Sequence, residues 1–196
     1  MNRQCVAIAL IALLLGASAA VQAADLSKPL ILVAAPELHD PVYGATVIVV
    51  APVGGDQHIG FIVNRPSELT LGRIFPDDGP SQKVHDPVYL GGPYEPGLVF
   101  ALVERVKNPG GKSLELMPGL YAAADAATVD TIIKGDAARA RFVAGLVAWQ
   151  PGELQQEIER KVWYVLEPDT QVVLRKPADG LWEDLVRRAQ AAANAI

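Results

Sequence analysis

Asn64-Arg65-Pro66 closes an otherwise apolar run, Ile59 to Val63, and concentrates side-chain chemistry at one strand end. An amide and a guanidinium fork at that place suit a carboxylate or other anion. The same residues also have a structural use: Asn closes a turn ahead of Pro, and Arg pairs with an acid such as Asp40. One pentapeptide occurs twice, as His39-Asp40-Pro41-Val42-Tyr43 and His85-Asp86-Pro87-Val88-Tyr89. Two His-Asp pairs can bring four ligands to a divalent metal. Asp-Pro is also a common turn starter and Val-Tyr a common strand start, and the flanks of the two copies differ. No metal site and no cofactor are therefore expected. Gly91-Gly92-Pro93 reads as a turn between sheet elements, with a nest of anion-binding N–H groups as the alternative. Trp149, just ahead of Pro151-Gly152, either floors a pocket or belongs to the core. His58 precedes a strand and is expected at the surface.

Nucleophile chemistry is harder to find. Beyond residue 23 the chain has no cysteine and four serines, Ser27, Ser67, Ser81 and Ser113, none of them in a nucleophile motif. Gly110-Gly111-Lys112-Ser113 resembles the end of a phosphate-binding loop, but Val106 stands where that loop needs Gly, so a turn is expected. No catalytic residue is assigned. The candidate binding residues are Asp40, Asn64, Arg65, Tyr89, Gly91, Gly92 and Trp149. An enzyme would require Asp40, Arg65, His85 and Tyr89 to converge.

The elements that must position these groups read first as strands. Leu30 to Ala35 and Ala45 to Val50 are β-branched runs of the kind buried on both faces. Ile59 to Val63 follows a Gly54-Gly55-Asp56 hairpin turn. Thr70 begins a short helical turn ended by Pro76. Val88 to Leu90, Leu98 to Val103, Leu114 to Met117 and Leu120 to Ala124 are further strands. Asp125 caps a helix that Gly135 stops. Arg139 to Trp149 is expected as a strand, Pro151 as the first residue of a helix, Val162 to Leu166 as a strand and Gln171 to Leu174 as another. Asp179 caps a last helix with a Leu181, Leu185, Ala189 stripe and i,i+4 pairs Glu183/Arg187 and Asp184/Arg188. These add up to one α+β domain, from residue 24 to 196.

Residues 1–23 read as a signal peptide. Arg3 is followed by the apolar run Val6 to Leu15, too short to span a membrane, and Val21-Gln22-Ala23 supplies a cut after Ala23. Ala17-Ser18-Ala19 is a second possible cut. The expected location is periplasmic or secreted. Cleavage also removes Cys5, the only cysteine, leaving a chain suited to an oxidising compartment. The formal net charge of −5 becomes −6 without Arg3, which opposes binding to nucleic acid. Nothing after the leader is long and apolar enough for a transmembrane span.

Several blocks resemble the YqgE/AlgH family of bacterial proteins, in that family's order. They are Ala35-Pro36, Asp40-Pro41, Thr46-Val47, Gly60 to Pro66, Leu69 to Gly72, Val88 to Pro93, Gly145 to Leu154, and Trp163. The family usually carries Phe where Tyr43 stands and Gln where Glu153 stands, and its members are mostly leaderless. The resemblance implies a compact α+β fold with a mixed sheet. It brings no catalytic set: one member is named for alginate regulation, and others carry a transcriptional-regulator label. The expected function is a non-catalytic binding or regulatory module for an unknown protein or small acidic ligand. An enzyme, a nucleic-acid-linked transcriptional regulator if the chain is not exported, and a structural envelope protein are the alternatives.

Overall fold

The computed structural model describes residues 24–194, so the expected signal segment, 1–23, lies outside the described residues. The first β-branched run forms β1 (Leu30–Ala34), which pairs antiparallel with β2 (Val47–Gly54) on one edge and β10 (Trp163–Leu166) on the other. All five β1 residues are buried because alternate side chains feed two cores. Ile31 and Val33 enter one; Leu30, Leu32 and Ala34 enter the other. The Gly54-Gly55-Asp56 turn joins β2 to β3 (Gln57–Ile62) as a hairpin.

The sheet is assembled on β9 (Ala140–Trp149). One edge of β9 carries β6 (Tyr94–Glu104). The other edge is shared. β5 (Pro87–Leu90) runs parallel to it at Val143 and Ala144, and β3 takes over, antiparallel, at Val147 to Trp149. β8 (Leu120–Ala123) and β7 (Ser113–Met117) continue beyond β6, while β4 (Pro66–Thr70) pairs with β5. The β5–β9 pair makes an otherwise antiparallel sheet mixed. The sheet curls until β7 packs near β2, around a core that includes Phe61, Phe100, Leu102 and Leu116.

Helices close the faces. α1 is a single turn (Leu71–Ile74) after Thr70, whose side chain makes no cap bond. α2 (Ala126–Asp136) opens on Asp125, which accepts the Thr128 N–H at 3.0 Å. That bond, the Thr128 hydroxyl and the Lys112 N–H hold the Asp125 carboxyl below the ordinary carboxylate range. α3 (Glu153–Glu159) begins after Gly152, so Pro151 stands ahead of the helix instead of at its first position. α5 (Leu181–Ala193) buries Leu181, Leu185 and Ala189, and Trp182 Nε1 donates to Ala34 O at 2.8 Å.

Several local expectations give way to tertiary context. Gly135 lies inside α2, which ends one residue later. Gly180, at φ 69°, and not Asp179, precedes α5, with no side-chain cap. Asp184 bonds Arg175 and Arg187 instead of Arg188. β4 is an unforeseen strand; it starts at a proline, which an edge position tolerates. His58 is 3% exposed, not at the surface, with Nε2 2.8 Å from Leu26 O. Residues Gln171 to Leu174 are helical, within α4 (Thr170–Leu174), and do not form a strand. Asp169 caps this turn through the Gln171 N–H, and neighbouring Val172 and Val173 enter the same core, whereas adjacent strand residues would face opposite sides.

Among the described residues, one guanidinium is buried in the core. Arg141, second in β9, is 1% exposed. Its Nε donates to Val173 O at 2.9 Å, Nη1 to Val63 O at 2.6 Å, and Nη2 to Arg175 O. The Tyr89 ring lies beneath it, 3.9 Å from Cζ to the centroid. Burial lowers the Arg141 pKa from its ordinary value, and Tyr89 opposes that shift. Arg141→Met would leave three carbonyls without this donor, at roughly 1–3 kcal/mol for each buried one. The expected loss is about 3 kcal/mol or more, read from the midpoint of urea unfolding. A loss below about 1 kcal/mol would show that the carbonyls find other partners.

Candidate functional site

Asp40, Asn64 and Arg65 come together on one turn. Asp40 Oδ1 accepts the N–H groups of Val42 and Tyr43, both at 2.8 Å, and its carbonyl accepts Gly44 N at 2.8 Å. Arg65 Nη1 donates to Pro41 O at 3.1 Å and Nη2 to Gly44 O at 3.0 Å. Asn64 Oδ1 accepts Val47 N at 2.8 Å while Nδ2 donates to Ala45 O at 2.9 Å. Arg65 therefore binds carbonyls and not the Asp40 carboxylate. Together the three residues fix residues 41–47 and with them the ring of Tyr43, which meets Trp163 edge to face at 6.3 Å.

Gly91 and Gly92 set a second wall. Gly91 N donates to Ala144 O at 2.7 Å, and Gly91 O accepts Ile62 N at 2.9 Å. The Gly91 N–H is thus committed to the sheet and not to an anion nest. A Cβ on Gly91 or Gly92 would collide with the backbone of Gly145 or Leu146, so only glycine lets these segments cross. The crossing delivers Tyr94 opposite Leu146 at the start of β6.

Between these walls lies a cleft of about 330 Å³ floored by Trp149 and bordered by α3. Trp149 has room because residue 60 is glycine: a Cβ there would stand 2.9 Å from the Trp149 ring. Glu153, Gln156, Glu157 and Arg160 reach the cleft at i, i+3, i+4 and i+7, one face of the α3 turn. The indole N–H groups of Trp149 and Trp163 both donate to Oε2 of Glu157, at 3.0 and 2.8 Å. Burial first, then the nearby Tyr94, Glu157 and Asp40, raises the Tyr43 phenol above its ordinary pKa.

Of the residues singled out in the sequence, Trp149 lines this cleft, and Asp40, Asn64, Arg65, Gly91 and Gly92 position its walls. Tyr89 points elsewhere, buried against Arg141, although its backbone pairs with Pro66. His85 is exposed, and Asp86 pairs with Lys176 at 2.6 Å, so Asp40, Arg65, His85 and Tyr89 form no single constellation. Among the described residues no group of three or more His, Cys, Asp and Glu is placed to hold a metal. Tyr43, Tyr94, Glu157, Arg160 and Trp163 were not foreseen as site residues. The α3 spacing was a usable signal for Glu157 and Arg160; nothing local marks Tyr94. Arg65→Ala is expected to cost about 1–2 kcal/mol and to speed amide exchange across residues 41–47, because two charge-assisted bonds disappear. Arg65→Lys should restore little, since one ammonium does not replace a two-pronged fork. Unchanged exchange in Arg65→Ala would show that Asn64 and Asp40 hold the turn alone.

The comparisons agree with this architecture. A protein named "UPF0301 protein" from Thermobifida fusca is 32% identical over 167 residues, 81% of this chain and 84% of the relative. One of the same name from Myxococcus xanthus is 29% identical over 163 residues, 81% and 88% of the two chains. Among solved structures, a Corynebacterium diphtheriae protein superposes with a TM-score of 0.69 at 23% identity, covering 83% of this chain and 86% of that one. The AlgH protein of Pseudomonas aeruginosa gives 0.66 at 24%, covering 86% and 87%. At such identities the two structures speak for the fold alone. Residues 31–194 match the family described as AlgH-like, and the chain belongs to that family, for which no activity is established.

Proposed function

We propose that this chain is a non-catalytic binding module whose ligand enters the cleft between α3 and the turn at residues 41–47. The observation that carries this reading is the Glu157 carboxylate, held by two indole N–H groups in a cleft whose walls are each fixed by separate hydrogen bonds. Such bonding prearranges a receptor and reduces the ordering cost of binding. The cleft lining contains no Ser, Thr, Cys, His or Lys, so a Ser–His, Cys–His or Lys-based nucleophile has no candidate there, and both Glu153 and Glu157 already accept hydrogen bonds from the chain. A regulatory role follows if the bound state is recognised by another protein.

The binding test is a small-molecule screen read by the indole N–H resonances. Hits are expected to shift Trp149 and Trp163, to be recovered chemically unchanged, and to lose affinity in Tyr94→Ala. That ring is 54% exposed, so stability should stay within about 0.5 kcal/mol. Hits that map away from the cleft, or that are consumed, overturn the reading.

We further propose that the chain meets its ligand outside the cytoplasm, on the strength of the apolar run Val6 to Leu15 and the small residues before Ala24. Intact-mass measurement on periplasmic protein should give a chain starting at Ala24. A full-length mass, or recovery from cytosol alone, rejects export.

A further inference from the structure

We infer that the cleft receives an organic cation whose nitrogen is fully alkylated, a quaternary ammonium head; this rests on the reading of the cleft as the ligand site. Glu157 is the centre of the inference. Its Oε2 is occupied by the Trp149 and Trp163 indoles, whereas Oε1 receives no hydrogen bond from the described residues. Among the described residues, no Lys, Arg or His nitrogen lies within 4.0 Å of this carboxylate. Arg160 borders the cleft but is solvent-exposed, where water and salt screen it. A negative charge thus stands in the cleft with donor dipoles to orient it and, among the described residues, no cation paired with it.

The surrounding groups choose the kind of cation. The exposed Tyr94 and half-buried Tyr43 rings border the same cleft, and aromatic rings attract cations through their negative faces, while the buried Trp149 and Trp163 turn their N–H edges to Glu157. A primary ammonium brings three N–H donors. Glu157 Oε1 can take one of them, and Glu153 already accepts the Gln150 N–H through Oε2 at 2.8 Å. The remaining donors would meet Gln156 and the Tyr94 hydroxyl, exposed groups that already hydrogen-bond water, and so would gain little by entering. A quaternary nitrogen has no donor to leave unpaired, spreads its charge over alkyl groups that pack on rings, and still satisfies the carboxylate. The volume, about 330 Å³, suits a small head and not a folded partner. The acidic chain, net −5, favours the approach of a cation.

The experiment titrates the purified chain with tetramethylammonium chloride, methylammonium chloride, sodium acetate and sodium chloride at matched ionic strength. The three indole N–H resonances are followed by NMR. Tetramethylammonium should shift the Trp149 and Trp163 signals saturably and leave Trp182, which is bonded to Ala34 O, unmoved. Methylammonium should bind several-fold more weakly, and acetate and sodium chloride should give no saturable shift. Glu157→Gln keeps an acceptor for both indoles and removes the charge, so affinity should fall about tenfold or more. Tyr94→Ala, at an exposed ring, should weaken binding several-fold and serves if the Glu157 variant does not fold.

Acetate shifting the two indoles while tetramethylammonium does not would overturn the cation assignment and leave the cleft as the ligand site. Methylammonium binding as tightly as tetramethylammonium would overturn the alkylated head. Equal affinity in Glu157→Gln would overturn the role of the carboxylate. No saturable shift from any of the four salts would overturn the inference outright, and the wider screen would then decide the cleft separately.

Discussion

A guanidinium buried without a carboxylate is costly to desolvate and must be repaid by hydrogen bonds. Arg141 meets that condition by taking carbonyls from two separate places, Val63 after β3 and Val173 and Arg175 at the end of α4, and by resting on the Tyr89 ring. The last carbonyls of a helix have no later N–H within it, so α4 brings acceptors that are already free. The requirement constrains β9, the end of β3, β5 and α4 at once. Displacing any of them strands a charge or a carbonyl in the core.

The constraint passes directly to the surface through four consecutive residues. Val63 offers its carbonyl to Arg141; Asn64 and Arg65 then hold the turn at 41–47; Pro66 pairs with Tyr89, whose ring returns to Arg141. Leu90 N bonds Arg65 O at 2.8 Å, closing the circuit on the backbone. The cleft wall carrying Tyr43 is therefore braced from the core, not left to a free loop. The opposite wall depends on a second economy, the crossing of Gly91-Gly92 over Gly145, where backbones approach too closely for any side chain. A carboxylate oriented by two indoles needs both walls, because Trp149 ends β9 and Trp163 begins β10, strands that do not pair with each other.

The pentapeptide that occurs twice shows how little a short sequence decides alone. At residues 39–43 it is a turn, with Asp40 accepting from Val42 and Tyr43. At 85–89 the same letters lead into β5, where Tyr89 is buried and Asp86 pairs with Lys176. In the first copy Asn64 and Arg65 bind the carbonyls that follow Asp40; in the second β9 supplies a parallel neighbour. The neighbours differ, and so does the structure.

Much of the architecture followed from rules that act over a few residues. β-branched runs gave β1 to β3, a Gly-rich turn gave their hairpin, Asp125 capped α2, and the Leu181, Leu185, Ala189 stripe gave the buried face of α5. The same local reasoning marked Asp40, Asn64, Arg65, Gly91, Gly92 and Trp149 as unusual, since each stands where a backbone must turn or an apolar run must end. Their partners were decided elsewhere. Arg65 takes carbonyls about twenty residues away, Arg141 reaches Val63 across 78 positions, and Trp149 and Trp163 meet on one oxygen of Glu157. A buried polar group accepts whatever donor or acceptor the packing delivers, and packing is a property of the whole sheet. Periodicity and turn chemistry therefore settled most of the strands and helices, though not β4 or α4, while only the closed tertiary structure determined which atoms face the cleft.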